Sequence, residues 1–409
     1  MLTVDAALKQ ILETVSPFSA SPVPIQECLG RVLACDIVSD IDSPPFDKAL
    51  MDGYAIRAEE LQPESAATFR VIEEVTAGNV PTLPVNAGEA TRIMTGAPLP
   101  SGANAVVPVE FSQFNKETGE VVLTSPRPLK PAANILPQAT VMSQGETVLT
   151  AGTVLRPQEI AVLAEMGIHE VEVARRPEIA ILATGDELVP ISEKPGPGQI
   201  RNTNEAMLSA QVKNAGGQPR PLGIARDTRE SLHEKISQGL ECDVLLLSGG
   251  VSAGKLDLVP SELDNAGVQQ TFHKVSIKPG KPLWFGVLKR VENPESRPCY
   301  VFGLPGNPVS SMVCFEVFVR TAIRRLMGAT NPLPQSIFAR LEEGFNSPGD
   351  RTVYFPARWQ HDEHGTTVRL VNWKGSADLR STTDANGLAI FPADQSEYPP
   401  DEIIQVLRW

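Results

Sequence analysis

The chain has 409 residues and a formal net charge of −13, enough length for two or more domains and an acidic balance that argues against nucleic-acid binding, which needs a basic footprint. No stretch approaches the roughly 20 apolar residues of a membrane span, and Met1-Leu-Thr-Val-Asp5 lacks the charged region and apolar core of a signal peptide. Five cysteines (28, 35, 242, 299, 314) without Cys-x-x-Cys spacing read as small apolar residues in a reducing compartment, so the cytoplasm is expected.

In chain order, Thr3 is placed to cap a helix whose apolar positions Val4, Ala7, Leu8, Ile11, Leu12 and Val15 follow helical spacing, with Pro17 as its stop. Asp42-Ser-Pro-Pro-Phe-Asp47 then breaks the pattern. From about 48 to 140 the chain reads as short strands and turns: Tyr54–Arg57, Thr68–Ile72 and Ala105–Val109 are strand-like, and Thr95-Gly-Ala-Pro98 is a turn. Gly152–Leu155 suggests a strand and Pro157–Met166 a helix, so a β module is expected to interrupt a helical module built from both flanks.

The next 150 residues are strand-then-polar-loop units. Pro177–Thr184 is an apolar strand closing on Gly185-Asp186-Glu187, and Arg220–Ala225 is a second, followed by Asp227. Val244–Ser248 is a third, opening into Gly249, Gly250, Ser252, Gly254 and Asp257. Cys299–Leu304 ends at Pro305-Gly306-Asn307-Pro308, after which Val309–Arg325 reads as one helix. Helical patterns at Asn204–Ala215 and Thr228–Leu240 lie between these strands, which argues for a parallel sheet covered on both faces. Each acid therefore falls at the carboxyl edge of the sheet, where ligands of open α/β sheets bind. Lys278-Pro279-Gly280-Lys281, after a strand expected at Lys274–Ile277, would present two ammonium groups together to phosphate or another oxyanion. Asn331-Pro-Leu-Pro334 is a linker, and the remainder to 409 is expected to form a small β sandwich or barrel; His361 and His364 read as solvated residues of a hairpin turn.

Met51-Asp-Gly-Tyr-Ala55, Met94-Thr-Gly-Ala-Pro98, Thr184-Gly-Asp-Glu-Leu188, Ser248-Gly-Gly-Val-Ser252, Lys278-Pro-Gly-Lys-Pro282 and Leu304-Pro-Gly-Asn-Pro308 resemble, in order, the motifs of the MoeA family, the molybdopterin molybdenumtransferases related to the E domains of gephyrin and its plant counterpart. The resemblance implies a multidomain α/β plus β chain. Its parts would be a split linker domain (1–43 and 141–175), an inserted β domain (44–140), a MogA/MoaB-like molybdopterin-binding α/β domain (176–328) and a C-terminal β-barrel-like domain (329–409). It further implies a homodimer, insertion of molybdate into adenylylated molybdopterin with release of AMP, participation of Mg2+, and transient contact with the protein that adenylylates the pterin.

On that pattern Glu187, Asp227 and Asp257 are expected as catalytic residues and metal ligands, since three carboxylates beside polyanions make sense around a hard cation with oxygen ligands. Asp52 joins them as catalytic, and it and Thr95 are assigned by the resemblance to the facing subunit's site. Substrate binding is expected from Thr95, Thr184, Gly185, Ser248, Gly249, Gly250, Ser252, Lys278, Lys281, Pro305, Gly306, Asn307, Arg351 and Ser376. Arg351 suits bidentate contact with an oxyanion and equally suits plain solvent. Asp186 reads as a capping residue, and Asn202 stands where the family often carries Asp. Asn134-Ile135 leads into Leu136-Pro-Gln-Ala-Thr-Val141, where the family usually has an Arg-rich run and Gly-Glu-Asp. That departure motivates a second reading, a catalytically weak paralogue acting as a pterin-binding scaffold; a generic nucleotide-binding enzyme is a third, which leaves the β module unexplained.

Overall fold

The protein is described from a computed structural model covering residues 1–250, 258–289, 297–347 and 349–409. It divides into two compact units, one of Met1–Cys35, Ala151–Ala161 and His169–Trp409, the other of Asp36–Thr150 and Val162–Ile168. Its helices are α1 (Val4–Thr14), α2 (Pro157–Glu165), α3 (Thr203–Asn214), α4 (Arg229–Leu240), α5 (Val259–Asn265), α6 (Pro308–Cys314) and α7 (Arg320–Leu326).

The larger unit is built on a six-stranded sheet of β1 (Glu178–Thr184), β2 (Gln218–Ala225), β3 (Val244–Ser248), β4 (Gln269–His273), β5 (Trp284–Leu288) and β6 (Cys299–Leu304), in the order β2-β1-β3-β6-β5-β4. The first four in that order are parallel; β5 runs antiparallel to β6, and β4 antiparallel to β5, back in the direction of the four. Side chains alternate between two cores. Ile179, Ile181, Val244, Leu246 and Phe302 face one, with residues of α1, α3, α6 and α7. Ala180, Leu182, Leu245, Leu247 and Val301 face the other, with α4 and α5. A strand buried on both faces has no polar side to show, so its sequence is continuously apolar rather than alternating. Asn202 caps α3 by accepting from Glu205 N at 3.3 Å, and Thr228 caps α4 by accepting from Ser231 N at 3.3 Å.

Three expectations need correction. Thr3 does cap α1, accepting from Ala6 N at 3.2 Å, but the helix joins no helical module: Val4, Ala7, Ile11 and Val15 pack into the α/β core with Ile323 and Leu326 of α7. Lys274–Ile277 is not a strand: Lys274 sits at φ +70°, Val275 makes a single bridge to Leu2, and the ladder that follows is the two-residue Ile277–Lys278, paired with Thr352–Val353. Gly152–Leu155 makes a single bridge, Val32 to Val154. The Val309–Arg325 helix runs as expected but opens into a π turn at Phe315–Val319.

The C-terminal part of this unit is a closed five-stranded barrel of β7 (Ser336–Leu341), β8 (Thr352–Asp362), β9 (Gly365–Leu370), β10 (Gly387–Phe391) and β11 (Ile403–Arg408). Pairing runs β8-β9-β7-β11-β10 and back to β8, which removes every free edge. The second unit carries a six-stranded sheet in the order Ala105–Pro108, Gly53–Ile56, Glu89–Ile93, Ala66–Val75, Glu120–Thr124 and Ser112–Asn115. Tyr54, Phe69, Val121 and Leu123 fill one face of it, and Ala55, Ile93 and Val106 the other.

Candidate functional site

A cleft of about 850 Å³ opens where β1, β2, β3 and β6 end. Polar residues start there because the chain leaves the buried layer at that edge. Thr184, Gly185 and Glu187 follow β1, Asp227 follows β2, Ser248, Gly249 and Gly250 follow β3, and Pro305, Gly306 and Asn307 follow β6; all line the cleft. Gly249 and Gly250 sit at φ +96° and +62°, and a Cβ on Gly250 would lie 2.6 Å from Val259 Cγ2 and 2.7 Å from Thr184 Oγ1. Only glycine fits that turn.

Glu187 folds its carboxylate back over Gly185, where a Cβ would strike it. Asp186 accepts from the amide of Asp227 at 3.2 Å, while the cap of α4 is Thr228. Arg226 is turned aside, donating to the carbonyls of Asp186 and Leu188 at 3.1 and 3.2 Å. Partial desolvation first, and then the negative charges of Asp186 and Glu187, push the Asp227 carboxyl above its ordinary value. Clustered negative charge of this kind suits a hard divalent cation, and Mg2+ is commonly held by one or two carboxylates plus substrate oxygens. Among the described residues no three acidic, histidine or cysteine side chains form a metal group of their own. Asp257 and Ser252 lie outside the described residues.

The expected basic residues line a second hollow of about 540 Å³, with Lys278, Lys281, Ser310, Arg351 and Ser376 in its wall beside Phe345, Phe355 and Trp373. Pro282 lines both cavities, and Asn307 of the cleft donates to Ser376 Oγ of the hollow at 2.9 Å. The acids and lysines therefore meet across a shared wall rather than around one space. Gly280, at φ +118°, allows the lysine turn to lie against α6, since a Cβ there would stand 2.5 Å from Cys314 Sγ. Arg351 pairs with Asp350 at 3.0 Å.

In the second unit Asp52 Oδ1 accepts from both the amide and the hydroxyl of Thr95, each at 2.7 Å. These two bonds hold the Asp52 carboxyl below its usual range, with a smaller contribution from Arg92. The altered 136–141 stretch is tied down by Gln138, whose amide donates to Asp47 Oδ1 at 2.7 Å and whose side chain donates to Asp42 Oδ2 at 2.8 Å.

Sequence reasoning did not single out Asn204 or Trp373. Asn204, in the first turn of α3 and 8% exposed, donates from Nδ2 to Ser248 Oγ at 2.6 Å and to Gly306 O at 2.8 Å. One amide thus clamps the ends of β3 and β6 together. Trp373 Nε1 is buried in the basic hollow and has no hydrogen-bond partner among the described residues, a donor that suits a ligand there. An Asn at a helix start reads as a cap, which hid the first; nothing local marks the second.

Three family models account for most of the chain: the MoeA N-terminal region (domain I and II) over residues 2–167, a probable molybdopterin binding domain over 180–325 and the MoeA C-terminal region (domain IV) over 339–409. Curated relatives include a molybdopterin molybdenumtransferase from Staphylococcus epidermidis, 33% identical over 410 residues, covering 99% of this chain and 95% of the relative. One from Bacillus subtilis is 32% identical over 412 residues, covering 99% and 94%. Among solved structures, the molybdopterin biosynthesis moeA protein of Pyrococcus horikoshii OT3 superposes with a TM-score of 0.81 at 32% identity, covering 100% of both chains.

Proposed function

The chain belongs to the MoeA family, and from that premise we propose that it is a molybdopterin molybdenumtransferase of molybdenum cofactor biosynthesis, inserting molybdate into adenylylated molybdopterin with release of AMP. The observation that carries this reading is the pairing of an acid-edged cleft with a basic hollow through the common wall at Pro282. Glu187 and Asp227 suit a Mg2+ ion that would offset phosphate charge on the pterin nucleotide. The backbone of Gly249 and Gly250 permits close approach of the phosphates. Lys278, Lys281, Arg351 and Ser376 suit a tetrahedral oxyanion such as molybdate, with Arg351 offering a planar fork and the lysines point charges. The test is AMP release from adenylylated molybdopterin with and without molybdate. Molybdate-dependent AMP above a Glu187→Ala control is expected, and its absence rejects the proposal.

As a homodimer the chain would bring Asp52 and Thr95 to a partner's cleft. Leu50 and Met51, 49% and 43% exposed beside Asp52, support burial against another surface. Mixed dimers of Asp52→Ala and Glu187→Ala test this. If each cleft draws on both subunits, half of the clefts in a mixed dimer carry neither change and activity returns; if each is built from one chain, none returns. Transient docking of the adenylylating protein and a cytoplasmic location belong to the same proposal, and among the described residues no helix is long and apolar enough to cross a membrane.

A further inference from the structure

The helix running through α6 and α7 has its start at the cleft, at Pro308, and a different pocket near its other end. Arg320 and Arg324 lie 12 and 16 residues beyond Pro308, roughly 20 Å along the axis. The pocket has a volume of about 240 Å³ and is lined by Glu316, Arg320, Arg324, Gln335 and Arg408 among others. Three guanidinium groups thus share this wall with the Glu316 side chain and with Trp409, whose α-carboxylate is the second negative group there, so arginine charge exceeds carboxylate charge by one in a protein of net charge −13.

The Glu316 carboxylate is fully engaged. Glu316, 3% exposed, receives Arg320 Nε at 2.6 Å, Arg320 Nη2 at 2.9 Å and Gln211 Nε2 at 2.7 Å. The π turn at Phe315–Val319 falls on Glu316, a distortion that concentrates at functional sites. Among the described residues Arg324, one turn beyond Arg320, donates to the Leu333 carbonyl at 3.3 Å, and Arg408 stacks 5.4 Å over the Trp359 ring. Neither forms an ion pair among the described residues. Burial and then repulsion from Arg320 lower the Arg324 pKa, the opposite of what a satisfied arginine shows. The helix C-terminus supplies at most about half a charge of compensation.

We propose that this pocket binds a free tetrahedral oxyanion of the phosphate class, held by Arg324 and Arg408 with Gln335 beside them. Its volume falls below the roughly 300 Å³ at which pockets for organic ligands begin, which favours a bare oxyanion over a nucleotide. Because α7 belongs to the α/β layer and Arg408 to the barrel, the anion would tie the two together at a point remote from the cleft.

The experiment is calorimetric titration of the full chain with inorganic phosphate at fixed ionic strength, carried out in a Lys278→Gln/Lys281→Gln background that disables the other oxyanion hollow, and repeated with Arg324→Gln or Arg408→Gln added. Saturable binding is expected to persist in the lysine background and to weaken about tenfold or more with either arginine change, as the loss of a charge-assisted hydrogen bond implies. Arg408 is exposed at the end of β11, so its variant reports even if Arg324→Gln fails to fold. No saturable binding in the lysine background, or binding indifferent to Arg408→Gln, would each overturn the proposal.

Discussion

Replacing Asn204 tests whether the cleft is held together by one buried amide. Asn204→Ala removes the bonds to Ser248 Oγ and Gly306 O and leaves both acceptors without that donor. Each net hydrogen bond contributes about 1 kcal/mol, and each buried group left unsatisfied costs about 1–3 kcal/mol, so a loss of about 2–4 kcal/mol is expected. Urea unfolding reads this as a shift in midpoint at constant slope. AMP release should fall about 10- to 100-fold, because the β3 and β6 turns that would flank the nucleotide lose their common anchor. Asn204→Asp sharpens the test, since an ionised carboxylate cannot donate to either acceptor. Burial among acceptors would raise the introduced carboxyl's pKa in the fold. The folded state then binds more protons than the unfolded chain, so the variant should regain stability as pH falls towards the ordinary carboxylate range and lose it as pH rises through the folded value. A midpoint within about 0.5 kcal/mol of the parent for Asn204→Ala, or an Asn204→Asp variant insensitive to pH, refutes the reasoning.

Asp227→Asn should raise the melting temperature at neutral pH while abolishing AMP release. The raised Asp227 pKa makes its ionisation destabilising, and that stability is present at low pH and lost as pH rises through the folded value. Mg2+ should raise the melting temperature of the parent and not of this variant. Glu316→Gln leaves Arg320 buried without its counter-charge and should cost about 3–5 kcal/mol in urea unfolding. Gly280→Ala must adopt φ +118° against Cys314 Sγ, so a loss of about 1–3 kcal/mol is expected, together with weaker molybdate binding by calorimetry.

Much of the cleft was legible along the chain. β1 from Ile179 onward and β3 throughout are apolar until their last residue, and the residues that follow each, Gly185-Asp186-Glu187 and Gly249-Gly250, are where the buried layer gives way to water. Alternation and helical spacing report which faces are buried, so α1, α3, α4 and the sheet could be read from them. They do not report what those faces are buried against. Thus α1 was read as part of a separate module, yet it packs on α7, more than 300 residues away in sequence. The π turn escaped for a related reason, since a stretch apolar on every side offers no periodicity to break.

The Asn204 clamp shows the same limit at the site itself. Its partners lie 44 and 102 residues along the chain, and nothing around Asn204 distinguishes it from a helix cap. Likewise the lysines and acids divide between two cavities at Pro282, which their order along the chain does not reveal. What residue type and order determined here was the chemistry available at each strand end and each turn. Which of those ends face one another was decided only by the folded chain, because burial and helical or strand periodicity are local properties, whereas a shared wall is made by segments that meet only when the sheet and barrel close.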